Sequence, residues 1–96
     1  MNKYEAMFIV KPDLPEEERK TLFNFIHDSI TKNQGNVLEG SVWQERRKFF
    51  FPIKKHLEGL YYLVNFTIAP KAIKEIRHAY NLNESILRVL VTRRTR

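Results

Sequence analysis

Residues 46–68 read Arg-Arg-Lys-Phe-Phe-Phe-Pro-Ile (46–53), Lys-Lys-His-Leu-Glu-Gly (54–59) and Leu-Tyr-Tyr-Leu-Val-Asn-Phe-Thr-Ile (60–68). The outer two pieces are rich in aromatic and β-branched residues, and the polar middle piece ends in glycine. They are predicted to be two strands joined by a loop at 54–59. In the second strand Tyr62, Val64, Phe66 and Ile68 fall on one face, as the two-residue period of a half-buried strand requires. Strand character extends back from Ile53 to Val37, a length that calls for a twist or bulge near Gly40. A long hairpin in the middle of a short chain leaves the fold to be settled by what flanks it.

On the amino-terminal side, residues 3–10 alternate. Tyr4, Ala6, Phe8 and Val10 point one way, and Lys3, Glu5, Met7 and Ile9 the other. Lys11-Pro12-Asp13-Leu14-Pro15-Glu16 reads as a helix start, with Asp13 as the cap, Glu16 completing a capping box and Pro15 where no amide donor is needed. Leu22, Phe23, Ile26 and Ile30 then form the apolar stripe of a helix lasting to about residue 33, with Gly35 as its stop. Glu16, Glu17 and Glu18 suit the positive end of the helix dipole and need no catalytic explanation. On the carboxy-terminal side, Pro70 opens a second helix with Ile73, Ile76 and Tyr80 inward. Asn81–Glu84 turn the chain into a last strand at 86–92, with Val89 and Val91 inward and Arg88 and Leu90 outward; the basic residues after it are expected to fray. The order strand, helix, strand, strand, helix, strand, with right-handed crossovers, gives a four-stranded antiparallel sheet with both helices on one face. That is the α+β, ferredoxin-like βαββαβ sandwich, and it leaves one sheet face bare.

Ninety-six residues suffice for one such domain and one core, so the expectation is a single domain over 1–96 with a basic tail from about residue 93. The absence of cysteine excludes disulfides, thiol chemistry and cysteine-built zinc sites. No run approaches the ~20 apolar residues of a membrane span, and the amino terminus lacks the pattern of a signal peptide, so the expected location is cytoplasmic, with no membrane partner.

The net charge of +6 is unevenly distributed. Residues 1–45 carry five Lys or Arg against eight Asp or Glu, a net of −3. Residues 46–96 carry twelve against three, a net of +9. A half this basic is an electrostatic footprint for a polyanion. Its cations fall mostly outside the helices, which favours nucleic acid over a membrane surface. Within the opening stretch, Arg46, Arg47 and Lys48 stand side by side despite their mutual repulsion.

Catalysis finds no footing. His27, His56 and His78 lack the paired spacing of a zinc site, and each reads as a surface histidine; no metal or cofactor is expected. The glycines at 35, 40 and 59 stand alone and cannot cradle a nucleotide, so no small-molecule substrate is expected either. An acylphosphatase-like enzyme of this fold would use a phosphate-cradling loop after its first strand, where Pro12 and Pro15 here remove amide donors. The third-strand signature of an RNA-recognition motif is also missing: residues 60–66 lack its cation and glycine, leaving Tyr61 alone as a poor platform.

One resemblance gathers these features. Tyr4-Glu5, Pro12-Asp13, Arg46-Arg47 running into Phe49-Phe50-Phe51-Pro52-Ile53, Ala69-Pro70 and the closing Ile86-Leu87-Arg88-Val89-Leu90-Val91 occur in an order that resembles the family of the sixth protein of the bacterial small ribosomal subunit. Against the family's central pattern, Trp43 lies one position early, Glu45 stands where glycine is usual, and Phe49-Phe50-Phe51 replace Leu-Ala-Tyr, which implies a bulge before Arg46. The resemblance implies a structural, non-catalytic role on the ribosome. It also implies two partners: the eighteenth small-subunit protein, and the central domain of small-subunit ribosomal RNA.

The expected RNA surface is Lys3, Arg46, Arg47, Lys48, Lys54, Lys55, Arg88, Arg93 and Arg94, divided into two patches by the sheet order. Glu5, Met7, Ile9 and Leu90 on the bare sheet face are the expected contacts for a protein partner. The competing reading is a protein-docking module whose cations serve solubility alone.

Overall fold

The computed structural model describes residues 1–94 and contains the expected order of elements: β1 (Asn2–Val10), α1 (Glu16–Lys32), β2 (Asn36–Ile53), β3 (His56–Ile68), α2 (Ile73–Asn81) and β4 (Ile86–Arg94). A single 3₁₀ turn, Pro70–Ala72, leads into α2. The strands form one antiparallel sheet in the order β2-β3-β1-β4, with the helices on one face. This is the ferredoxin-like βαββαβ sandwich. Both alternating faces fall as their sequences require: Tyr4, Ala6, Phe8, Val10, Tyr62, Val64, Phe66 and Ile68 are buried against Leu22, Ile26 and Ile30 of α1 and Ile76 and Tyr80 of α2. Aromatic pairs tie the layers together, with Phe8 edge-on to Tyr80 at 4.8 Å and Phe23 stacked on Tyr62 at 3.8 Å.

The termini of α1 depart from expectation. Its N-cap is Pro15 and no side chain caps it; Asp13 lies two residues further out and turns to Arg46 instead. At the other end Gln34, not Gly35, takes the left-handed conformation, at φ 63°. Gln34 and Gly35 donate backbone bonds to the carbonyls of Thr31 and Ile30 at 3.0 and 2.8 Å, a complete Schellman closure. Gly35 is required for space: a methyl there would lie 2.7 Å from Ile30 Cγ2 and 2.8 Å from the Thr67 carbonyl.

The hairpin is tighter than its sequence suggests. In place of a loop over 54–59, Lys54 and Lys55 make a two-residue turn with φ 48° and 70°, and Ile53 pairs with His56. Positive φ at both central residues is the signature of a type I′ turn, whose twist suits a hairpin. The β2–β3 register shifts at four places, one of them between Gln44 and Arg47, which is the bulge expected before Arg46. Because β1 ends opposite Leu60, residues 48–58 overhang its end as a two-stranded arm. The last strand is longer than expected: Arg93 and Arg94 pair with Tyr4 and Lys3 in β4 rather than fraying. Thr95 and Arg96, the rest of the expected tail, lie outside the described residues.

Candidate nucleic-acid and protein interface

The sheet register arranges the bare face in rows across β4, β1 and β3. Arg94, Lys3 and Thr67 form the first row, and Thr92, Glu5 and Asn65 the second. Leu90, Met7 and Leu63 form the third, and Arg88, Ile9 and Tyr61 the fourth, next to the arm. A band of apolar side chains therefore crosses the sheet between two rows that carry arginine. Leu90 is 48% exposed and Met7 half-buried. Glu5 accepts a hydrogen bond from Arg94 at 3.1 Å, so both are already paired in the free chain.

Ile9 corrects the expectation. It is only 4% exposed, although it lies on the bare face. The cause is Gly59: a methyl there would lie 2.8 Å from Phe49 Cζ and 2.9 Å from Ile9 Cγ2, so the missing side chain lets Phe49 close down beside Ile9. Ile9 is packing material beneath the arm and not a surface contact.

The expected cations fall into two groups. Arg47, Lys48, Lys54, Lys55 and Arg88 gather around the arm, while Lys3, Arg93 and Arg94 lie at the far end of β1. Six residues along β1 separate them, roughly 20 Å. Arg46 differs from its neighbours, because its guanidinium donates to both Asp13 and Glu58. These two bonds, Asp13 first, raise its pKa above the ordinary value. Arg46 thus links the start of α1 to the hairpin, its charge balanced internally. Glu45 accepts from Arg19 of α1 at 2.9 Å, which pins the same segment from the other side of the bulge.

Sequence reasoning left Tyr61 isolated, and the structure gives it company. Trp43 meets it at 5.6 Å and Phe49 at 6.3 Å between ring centroids. The Arg47 guanidinium lies 5.3 Å from the Trp43 ring centre and 5.5 Å from that of Tyr61. The signal available beforehand was strand alternation: with Val42 opposite the inward Tyr62, the next residue, Trp43, falls on the face of Tyr61. His27 is also more than a surface residue, since its Nε2 hydrogen-bonds the Tyr62 hydroxyl at 2.7 Å. Burial raises the pKa of Tyr62. Among the described residues no group of three or more acidic or histidine side chains could hold a metal, and no helix is long and apolar enough to cross a membrane.

A family model described as "Ribosomal protein S6" matches residues 3–93. This chain belongs to the ribosomal protein S6 family. Small ribosomal subunit protein bS6 of Helicobacter pylori strain P12 is 43% identical over 91 residues, which is 95% of this chain and 63% of that protein. The chain thus spans under two thirds of the Helicobacter protein's length. The bS6 protein of Caldanaerobacter subterraneus subsp. tengcongensis is 37% identical, with 97% of each chain covered. The crystal structure of 30S ribosomal protein S6 from Thermotoga maritima superposes with a TM-score of 0.87 at 32% identity, covering 97% of this chain and 87% of the other. Fold and S6 family membership agree with the expectation drawn from the motif order.

Proposed function

We propose that this chain is a structural, non-catalytic protein of the small ribosomal subunit in the cytoplasm. In this reading it binds the central domain of small-subunit ribosomal RNA jointly with the eighteenth small-subunit protein. The observation that carries the reading is the net +9 of residues 46–96, with eight of the twelve cations on β2, its hairpin turn and the edge strand β4, in a chain of the S6 family. Arg47, Lys48, Lys54, Lys55 and Arg88 form the main phosphate-binding patch, and Lys3 and Arg94 a second, with Arg93 next to it on the helix side of β4. Arg46 braces the base of the arm and supplies the least free charge of the set. An A-form helix hides its base edges in a deep groove, so this contact reads backbone and shape more than sequence.

Filter binding of the full chain to central-domain RNA over a range of salt, with and without the eighteenth protein, tests the reading. Each lost phosphate contact flattens the log–log salt slope by about 0.7 to 0.9. Replacing Arg47, Lys54 and Lys55 together by alanine is expected to flatten it by about 2 to 3 and to weaken different RNA sequences alike. An unchanged slope removes these residues from the interface. Failure to bind RNA either alone or with the partner defeats the ribosomal reading and favours a protein-docking module.

A further inference from the structure

The arm carries an aromatic feature that phosphate binding leaves unexplained. Phe50 is fully exposed and Phe51 is 80% exposed, on a strand whose neighbouring aromatic, Phe49, packs down beside Tyr61. Together with Ile9, Phe49 and Tyr61 they line an open groove of about 450 Å³ on the bare sheet face, with Arg47 and Arg88 at its sides. Ile9, Phe49 and Tyr61 give it an apolar, already packed part, and Phe50 and Phe51 border it with their rings left exposed. Exposed rings of this size on a monomer's surface mark a contact. Phe50 also sits where the resemblance places alanine, so its bulk is a feature of this chain.

Charge decides what the contact is. Residues 46–59 carry five Lys or Arg and one carboxylate, Glu58, which is engaged by Arg46. A ligand for this groove must combine flat apolar surface with negative charge. A duplex offers the charge but keeps its bases stacked, whereas an unpaired nucleotide offers both. We propose that the groove receives an unpaired nucleobase of the bound RNA, at a bulge, junction or loop. Phe50 and Phe51 supply the stacking surface, and Arg47 and Arg88 hold the adjoining phosphates. This inference rests on the RNA-binding reading and adds to it a preference for RNA with bases out of the helix.

The test uses the full chain, with and without the eighteenth small-subunit protein, and short RNAs that carry 2-aminopurine either unpaired or in a matched duplex. Binding of the unpaired form is expected to quench the 2-aminopurine fluorescence. The double variant Phe50→Ala, Phe51→Ala is expected to lose the quench and about tenfold in affinity for the unpaired RNA, while duplex affinity stays within twofold and the salt slope is unchanged. Phe50→Trp with Phe51→Tyr is expected to keep both. Since both rings are exposed, thermal midpoints of the variants should match the parent's. An alanine variant that still quenches and binds equally well overturns the groove inference while leaving RNA binding intact. One that keeps its RNA affinity but loses the eighteenth protein reassigns the groove to a protein. A parent that binds no RNA removes this inference together with the reading beneath it.

Discussion

Tyr80 shows how much one side chain can decide. It is fully buried, edge-on to Phe8 at 4.8 Å, and its hydroxyl donates to the Ile26 carbonyl at 2.7 Å, tying α2 to α1. Burial raises its pKa well above the ordinary 10.0, and the neighbouring Ser29 offsets only part of that. The sign follows from linkage. Below pH ~10 the phenol is neutral in both folded and unfolded chains, so its contribution to stability is complete. Above that, the unfolded chain ionises while the folded one resists, and stability falls as pH rises towards the folded pKa by up to about 1.4 kcal/mol per pH unit. Tyr80→Phe is expected to cost about 1 kcal/mol at pH ~7, for the lost hydrogen bond, and to remove this share of the alkaline decline. Urea midpoints of parent and variant near pH 7 and pH 11 check it; parallel losses in the two proteins would mean that Tyr80 ionises freely in the fold.

At the scale of elements, the arm holds both the strain and the lesson about legibility. Lys54 and Lys55 occupy left-handed conformations that cost a non-glycine residue roughly 1 to 2 kcal/mol each. Lys54→Asn with Lys55→Gly supplies the pair that type I′ turns favour, and is expected to stabilise the protein by about 1 to 2 kcal/mol while weakening RNA binding. Denaturant midpoints decide the first half; a gain below about 0.5 kcal/mol would mean that the turn is not strained. The same strain explains why the turn was invisible in the sequence. Lys-Lys carries no turn signature, and Leu57-Glu58-Gly59 resembles a loop, so pairing along the arm overrides local preference. The alternating strands and the helix stripes were legible because their periods follow from burial on a single core, as Tyr62 through Ile68 and Leu22 through Ile30 illustrate. Asp13 was misread because a cap motif and a distant ion-pair partner use the same carboxylate. Ile9 was misread because its cover comes from Phe49, forty residues away in sequence, by way of Gly59.

For the whole molecule, the question is what the open sheet face meets. The arm's cations and, at the far end of the sheet, Lys3 and Arg94 flank a central band of Leu90, Met7 and Leu63. An apolar centre with a charged rim is the anatomy of a protein contact, and it lies between the two patches proposed for RNA. A partner docked there would leave both basic patches reachable, as the proposed joint binding of protein and RNA needs. Met7 stands at the middle of the band, on the side of β1 away from the helices. Met7→Glu should therefore leave the fold intact and weaken partner binding by more than about 1 kcal/mol, at least fivefold in Kd. Ile9→Glu makes the contrast, because that side chain is covered by the arm, and placing a carboxylate there should destabilise the chain by several kcal/mol. Isothermal titration with the purified partner, beside thermal melts of each variant, separates the two effects. A Met7→Glu protein that is folded and binds with parental affinity would move the protein contact off the face, most plainly to the free edge of β2, whose bulged backbone has no neighbouring strand.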